Sequence, residues 1–559
     1  MNTRQNRRIT AIYFLFLFLF LIISAKIIYL QVFRRIFFQQ LAQNQYYRVI
    51  PIEGGRGDIF DRRGRLLATG MNCYSIFADP SLVENKNKAV YALNESLGLP
   101  KQLLASRLYR DKRFVWIKRK VSWEEKEKVK ALGLRGIGFL REEKRLYPQE
   151  NLAASVLGVV GIDNKGLEGI ERSFDDYLRG KDGLARILHD SRSQEVMLSA
   201  HIIEPQKGAD LVLTIDAQIQ YWVECYLAET IDEFNASSGS VIVMDADQGE
   251  ILALANYPGF NPNKLGNGDI SSMRNGAIAD MFEPGSVFKL IALVAAISEK
   301  AFSDNDSIFC ENGNFKIPGS TLHDWRSYGR LSFKEVFMKS SNIGVVKIVE
   351  SMGAPVFARY LALFEFGRPT GIDLPAESPG NSKPLTVWSK TSPYMIPIGQ
   401  EIAVNLVQLA RAFGSIANNG YLVRPYLVER VCSRDFCKYT SPVKKQILSD
   451  SVTKHVKDIL VSVVHDGTGK QADIPDMVIG GKTGTAQKFD RQLGHYSPNR
   501  YRATFVGFSP ETLPPLVIAV SIDEPKRSHF GGVVAAPLFK KIAEKVIPYI
   551  SSDSTFAKR

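Results

Sequence analysis

Residues 282–297, FEPGSVFKLIALVAAI, combine a turn with an apolar segment. The pair Pro284-Gly285 predicts a turn that places Ser286 at a helix start, and the apolar residues after it predict a buried helix. Because residues three apart share one helix face, Lys289 is expected to reach the Ser286 hydroxyl. The helix N-terminus favours negative charge on that oxygen, and burial favours the neutral amine of Lys289, the form that acts as a base. The segment therefore predicts a nucleophilic serine with its own base.

A polar string, Ser340-Ser341-Asn342, follows Ser286 after about 54 residues. It lies between a predicted helix at Leu331–Phe337 and the apolar stretch Ile343–Val349, so we expect a loop that points Ser340 and Asn342 into a cleft. Ser340 would then relay a proton between the lysine base and a leaving amine. Asn342 would hydrogen-bond substrate amide groups.

The third string, Lys482-Thr483-Gly484, occurs once in the chain and leads into Thr485. Its surroundings predict a strand whose small residues let a substrate backbone approach closely. Lys482 supplies a positive charge for an incoming carboxylate, while Thr483, Gly484 and Thr485 are expected to line the substrate. The backbone N–H groups of Thr485 and Ser286 are expected to form an oxyanion hole.

Look-alike strings show why order and context matter. The Ser-x-x-Lys spacing recurs at Ser441–Lys444 and Ser451–Lys454, both in polar sequence typical of a surface. Another candidate for the second string, Ser303-Asp304-Asn305, lies only about 17 residues past Ser286. The nucleophile's own helix should end there, so we predict a capping turn. Taken alone, Ser286 and its lysine would fit an ordinary buried helix.

The N-terminus contains a candidate membrane anchor. Ile9–Phe33 is apolar apart from Lys26, and it is long enough to span a bilayer core of about 30 Å. Three arginines precede it, so the positive-inside rule places residues 1–8 in the cytoplasm and the rest beyond the membrane. A cleaved signal peptide is the alternative. It is disfavoured because Ile23 stands where cleavage would need a small residue.

Length and composition predict a largely folded protein of two or three domains. The chain has 559 residues, of which 45% are hydrophobic and 23% charged. The formal charge of +13 is spread along the chain, which suits either an anionic surface or an ordinary solvated basic face. Nucleic acid is not an expected partner on the exported side. Cys432 and Cys437 are able to bridge a hairpin, and no metal-ligand spacing or cofactor motif is found.

Two regions after the candidate anchor differ in their pattern of predicted strands and helices. Residues 34–207 alternate short strand-like runs with helical stretches, and the string at Arg56–Ala68 (RGDIFDRRGRLLA) predicts tight turns between strands in a structural or docking role. Residues 208–559 read as an α/β domain with an antiparallel sheet. Its predicted elements are a strand at Leu211–Asp216, a helix at Gln218–Phe234, a hairpin turn at Asp247–Gly249, strands at Phe505–Phe508 and Val517–Ile522, and a helix at Pro537–Pro548.

At these residues the chain resembles the class B penicillin-binding proteins, membrane-anchored transpeptidases of peptidoglycan. Arg56–Ala68 looks like the family's pedestal motif, and 249–263, 282–286 and 531–537 look like parts of its catalytic domain. The resemblance implies one N-terminal transmembrane helix at 9–33, an α+β pedestal or dimerisation-type domain at 34–207, and a transpeptidase domain at 208–559. That last domain would have the penicillin-binding, serine β-lactamase-like α/β fold, with a central antiparallel sheet flanked by helices. Gly276 and Phe288 depart from the family pattern without removing a catalytic group.

The implied reaction is an acyl transfer on stem peptides that end in D-Ala-D-Ala. Ser286 would attack the carbonyl between the two D-alanines, and an amine from a neighbouring stem would resolve the acyl-enzyme and form a cross-link. β-Lactam antibiotics would mimic the peptide end and be trapped on Ser286. The implied catalytic residues are Ser286, Lys289, Ser340, Asn342 and Lys482.

The resemblance also implies partners and leaves alternatives open. The segments 324–331 and 398–404 look more like the division-type (FtsI-like) septal enzyme than the elongation type. A SEDS-type (FtsW-like) lipid II polymerase and other divisome membrane proteins would be the partners. A β-lactamase or penicillin sensor shares the three strings, although Asn342 argues against the oxacillinase-like class, where a Val is usual. A non-catalytic membrane scaffold of the same fold is a further alternative.

Overall fold

The computed structural model describes residues 3–38, 47–189, 195–264, 270–490 and 494–552. It divides into two compact units, Met1–Gly55 with Gly180–Gly208, and Arg56–Arg179 with Ala209–Arg559. The domain bounds expected from the sequence, 34–207 and 208–559, stay a prediction.

The first unit contains the candidate anchor and a small sheet. An α-helix at Thr3–Ile28 continues as a π-helical turn at Tyr29–Phe33. Within it, Gln5–Phe33 is long and apolar enough to cross a membrane, and its most apolar window is not buried. The sheet consists of antiparallel strands at Tyr47–Ile52, Gly183–His189 and Glu195–Ile203.

The second unit begins with a sheet that joins distant parts of the chain. Its long strand Leu66–Ala78 pairs with Val115–Val121 and Ile137–Leu146. At the other end, the short strand Ile59–Phe60 pairs in parallel with Asp210–Leu213. The sheet continues through the antiparallel strands Val428–Cys432 and Cys437–Tyr439, where a disulfide that the sequence left open joins Cys432 to Cys437. Helices at Lys86–Leu97, Lys101–Leu108 and Trp123–Ala131 accompany this sheet.

The arginines of the string at 56–68 bind carboxylates outside that string. Arg56 contacts Glu171 at 2.7 Å and Asp175 at 2.6 Å, and its side chain is only 2% exposed. Arg63 contacts Asp216 at 2.7 Å, immediately before the helix that opens the next region. Buried charges need such partners because each ion loses its hydration. These ion pairs fit the structural role predicted for the string, as a connector between distant parts of this unit, and the docking alternative stays a prediction.

A five-stranded antiparallel sheet forms the centre of the second unit. In chain order its strands are β1 (Ser238–Asp245), β2 (Ile251–Tyr257), β3 (Gly480–Asp490), β4 (His495–Ser509) and β5 (Leu516–Asp523). They lie in the order β2-β1-β5-β4-β3, so β3 is an edge strand. The turn predicted at Asp247–Gly249 joins β1 to β2, as expected.

Helices cover both faces of this sheet. Successive residues of a strand point to opposite faces, so alternate residues of β1 pack against different groups of helices. Val241 and Val243 pack in one cluster with α1 (Ala217–Phe234) and α5 (Gly531–Ser551). Ile242 and Met244 pack in the cluster that contains α2 (Lys289–Ser298), α3 (Asn342–Met352) and α4 (Leu406–Ala417). Other helices of this unit include Phe333–Met338, Ala354–Leu363 and Asp450–His465.

The C-terminal helix α5 is longer than the sequence predicts. Pro537 and Pro548, expected at its two ends, both lie inside it. A proline removes one backbone hydrogen bond from a helix. Here the helix continues because Val534, Leu538 and Phe539 are buried against the sheet, and that burial offsets the loss.

Candidate active site

Ser286 lies in a tight turn against the edge strand. The turn is a 3-10 helix, Gly285–Phe288, and α2 begins only at Lys289. Residues three apart eclipse in a 3-10 helix, so Ser286 and Lys289 still share a face. Gly285 has φ +56°, and a Cβ there would lie 3.0 Å from the Thr485 carbonyl oxygen. Only glycine lets the turn approach β3 this closely.

The second string forms a loop before α3, as predicted. Ser341 caps the helix by accepting a hydrogen bond from the Gly344 N–H at 2.9 Å. Ser340 has the left-handed φ of 56°. With this backbone, both its carbonyl oxygen and its hydroxyl face Lys289, whose Nζ lies 2.7 Å and 3.3 Å away. Asn342 adds its Oδ1 at 2.8 Å from the same Nζ.

The third string brings a second lysine to the same hydroxyl. Lys482 Nζ donates to Ser340 Oγ at 2.9 Å and to the Thr483 carbonyl at 3.3 Å. Lys289 and Lys482 are 0% and 1% exposed. The Ser340 hydroxyl therefore lies between two buried lysines, and the fold brings together the three strings that the sequence separates.

Burial perturbs both lysines. It lowers the pKa of Lys289 to about 7, although the Asp324 carboxylate acts in the opposite direction. Burial also lowers the pKa of Lys482 well below its usual range, and the positive charge of Lys289 lowers it further. Two sites this close titrate as a pair. Both shifts favour the neutral amine, the form that can act as a base.

The direct contact that the three-residue spacing suggests between Lys289 and Ser286 is not formed. Among the described residues, the Lys289 ammonium bonds to Ser340 and Asn342 and not to the Ser286 hydroxyl. The Ser340 carbonyl and the Asn342 amide oxygen are stronger acceptors than a neutral hydroxyl, so they hold the lysine on the side of the second string.

Asp324 is a site residue that the sequence reasoning missed as such. Its carboxylate accepts hydrogen bonds from the Ser341 hydroxyl at 2.6 Å, from the Asn342 N–H, and from the Ile343 N–H at 3.2 Å. A carboxylate at a helix N-terminus is stabilised by the unpaired N–H groups there. Asp324 thus fixes the second string against α3. No short sequence pattern predicts this role, because Asp324 lies 18 residues before Asn342.

The side chains of the third string are held by their surroundings. The Thr483 hydroxyl donates to Thr468 Oγ1 at 3.0 Å, and the Thr485 hydroxyl accepts from the Gly531 N–H, at the start of α5, at 3.0 Å. A Cβ on Gly484 would lie 2.7 Å from the Val287 side chain. The strand and the turn that holds Ser286 are therefore packed directly together.

The look-alike strings lie outside this cluster. Ser303–Asn305 belongs to the turn after α2, as predicted, and Asp304 contacts His455 Nε2 at 2.6 Å. Ser441 and Ser451 are exposed, in agreement with the surface location expected from their polar context.

Comparisons with known proteins agree over nearly the whole chain. Residues 239–544 match the family described as penicillin binding protein transpeptidase domain, and residues 51–213 match the penicillin-binding protein dimerisation domain. The "Probable peptidoglycan D,D-transpeptidase PbpC" of Pseudomonas aeruginosa is 33% identical over 97% of this chain and 95% of its own length. The peptidoglycan D,D-transpeptidase FtsI of Escherichia coli is 31% identical over 89% of this chain and 84% of its own.

Comparison with a solved structure supports the same family. Penicillin binding protein 3 of Mycobacterium tuberculosis, crystallised with aztreonam, superposes with a TM-score of 0.70 at 27% identity. The match covers 90% of this chain and 98% of that one. With its dimerisation and transpeptidase domains, and with three motifs converging on one hydroxyl, the chain belongs to the class B penicillin-binding proteins, the peptidoglycan D,D-transpeptidases.

Proposed function

We propose that Ser286 is the nucleophile of this transpeptidase. Its Oγ attacks the carbonyl between the two terminal D-alanines of a stem peptide. A bond forms between Oγ and the carbonyl carbon, the C–N bond to the last D-alanine breaks, and that residue leaves as a free amine. An amine from a neighbouring stem then attacks the acyl-enzyme, which forms the cross-link and restores the Ser286 hydroxyl.

Protons move through the pair of lysines and the Ser340 hydroxyl. Among the described residues Lys289 Nζ does not bond to Ser286, so the two side chains must approach each other when substrate binds. Neutral Lys289 then takes the proton from Ser286, and Ser340 passes a proton to the leaving amine. The terminal carboxylate of the substrate binds Lys482 and favours its protonated form. Because the two lysines titrate as a pair, the charge on Lys482 leaves Lys289 as the free base. Substrate binding therefore favours the neutral form of Lys289, the form that acts as the base.

The remaining roles concern charge and orientation. The backbone N–H groups of Ser286 and Thr485 stabilise the oxyanion, and the packing of Gly285 on the Thr485 carbonyl supports their proximity. Asn342 binds a substrate amide. Thr483 and Gly484 line the bound peptide end. β-Lactams enter by the same route and acylate Ser286.

The observation that carries this proposal is the Ser340 hydroxyl between two buried lysines. A labelled penicillin tests it. Wild-type protein should become stably labelled, and Ser286→Ala should not. Ser441→Ala, which alters an exposed copy of the same spacing, is the matched control and should be labelled like wild type. Stable labelling of Ser286→Ala would overturn the assignment, and rapid penicillin turnover by wild type would favour a β-lactamase.

We infer that the protein works in septal wall synthesis. It would be anchored by the helix at 9–33, with residues 1–8 in the cytoplasm and the catalytic domain on the extracytoplasmic side. Similarity to FtsI supports the septal role, and the apolar helix supports the anchor. A SEDS-type lipid II polymerase is the expected partner. A fluorescent fusion should concentrate at midcell; a sidewall pattern without midcell enrichment would favour an elongation role.

A further inference from the structure

A cavity of about 610 Å³ lies beside β3, beyond the third string. Ala486, Gln487 and Lys488 line it from β3, and Glu283 lines it from the segment just before the nucleophile. Glu283 lies three positions before Ser286, so their Cα atoms lie within about 11 Å of each other. The cavity is therefore within one or two peptide residues of the reacting carbonyl.

The carboxylates of this cavity have neutral partners. Glu283 Oε1 accepts from the Tyr496 hydroxyl at 3.0 Å and from the Glu401 N–H at 3.0 Å. The Glu401 carboxylate accepts from the Thr391 and Ser392 hydroxyls at 2.9 Å and 2.6 Å. Across the described part of the chain, neither forms an ion pair. Burial raises the pKa of Glu283 above its usual range.

The cations of the lining are already paired or solvated. Lys488 contacts Asp523 at 2.8 Å and Glu524 at 2.7 Å, and Arg502 contacts Asp523 at 3.0 Å. Lys383 also lines the cavity, with an exposed side chain whose charge water screens. Among the described residues the two glutamates therefore have no ion-pair partner inside the cavity, and a ligand cation would supply one.

A peptide that pairs with the edge strand β3 would extend toward this cavity. β3 is the edge strand of its sheet, and an extended peptide pairs with such an edge. In the proposed mechanism the terminal carboxylate lies at Lys482 and the reacting carbonyl at Thr485. The peptide then runs antiparallel to β3, at about 3.4 Å per residue, toward Gln487 and Lys488. The residue before D-Ala-D-Ala lies alongside the cavity.

We infer that this cavity binds a side-chain ammonium carried by the donor stem peptide just before D-Ala-D-Ala, and that Glu283 determines this specificity. The inference rests on the proposed function. Stems that serve as acceptors carry an amine, and donors come from the same polymer, so a donor carries one as well. The donor amine is the better occupant because an ionised carboxylate keeps an amine protonated, whereas the attacking acceptor amine must be neutral.

Two matched ester substrates test the inference, one with lysine before D-Ala-D-lactate and one with norleucine, which lacks the ammonium. Full-length wild type should be acylated about 10-fold faster by the lysyl ester. Glu283→Gln should reduce that preference to below about 3-fold, and Glu401→Gln should reduce it partly. Glu84→Gln, at an exposed residue far along the chain, should retain it. Equal rates with the two esters in wild type, or an unchanged preference in Glu283→Gln, would overturn the inference.

Labelled penicillin separates this inference from the proposed function. If penicillin labels Ser286 in wild type and the two esters react equally, only the cavity assignment fails. If neither penicillin nor the esters acylate wild type, the proposed function fails, and the cavity assignment falls with it. If Glu283→Gln does not fold, two readouts remain: the comparison of the two esters on wild type and the partial loss of preference in Glu401→Gln, and an unchanged preference in Glu401→Gln would then overturn the cavity assignment.

Discussion

Replacing Asp324 with asparagine should change the rate and the pH dependence of acylation in different ways. The carboxylate of Asp324 favours the protonated form of Lys289, whose pKa lies at about 7. Hydrogen bonds through Asn342 connect the two groups, and two unit charges about 8 Å apart interact by about 2 kcal/mol at an effective dielectric constant of about 20. Removing the carboxylate charge should therefore lower the pKa of Lys289.

The direction of the shift in the pH dependence follows from the role of neutral Lys289 as the base. Acylation rises with pH as Lys289 loses its proton, so a lower pKa moves the midpoint of that rise to more acidic pH. An interaction of about 2 kcal/mol corresponds to about 1.5 pH units. The rate on the plateau should fall by about 10- to 100-fold. The asparagine amide replaces one acceptor oxygen by a donor, and losing a buried hydrogen bond costs about 1–3 kcal/mol.

The assay is the rate of acylation by a fluorescent penicillin between about pH 5 and pH 9. Asp304→Asn is the matched control, because Asp304 contacts a histidine outside the site. Its profile should overlay that of wild type. A midpoint for Asp324→Asn that stays in place or moves to higher pH would refute the electrostatic reasoning, and an unchanged plateau would refute the positioning role.

Three other predictions use different parts of the molecule. Lys482→Gln should slow penicillin acylation by about 100-fold, because a buried partner for the carboxylate is worth about 3 kcal/mol; a change below about 3-fold would contradict its role. Arg56→Ala removes one of the two arginines that contact Glu171, which keeps Arg145, and takes the arginine partner from Asp175; it should lower the free energy of unfolding by about 3 kcal/mol, measured by denaturant titration, and a loss under about 1 kcal/mol would argue against a connector. Replacing Cys432 and Cys437 with serine should cost about 2 kcal/mol and abolish the effect of reductant on unfolding, while penicillin acylation stays unchanged.

Local spacing predicted the features that depend on neighbouring residues. The turn before Ser286, the loop at Ser340–Asn342 and the strand at Lys482 all follow from short patterns. The hairpin of β1 and β2 does so as well. Each pattern specifies backbone geometry within a few residues, so the three motifs could be found before the fold was known.

Features that depend on distant residues could not be read in this way. Asp324 acts on a string 18 residues downstream, and the partners of Arg56 lie more than 100 residues away. Lys289 bonds to Ser340 and Asn342 because the fold brings their carbonyl oxygens close, which helical spacing cannot show. The helix α5 extends past its prolines since sheet packing outweighs local preference.

At position 340, the residue that best suits backbone stability differs from the residue that the active site needs. A left-handed conformation costs an L-residue about 1–2 kcal/mol, and glycine would avoid that cost. Glycine would also remove the hydroxyl between the two lysines. Mutational searches for a more stable protein should therefore recover Ser340→Gly repeatedly, while searches for activity should reject it. The position is one where this enzyme remains less stable than its own fold permits.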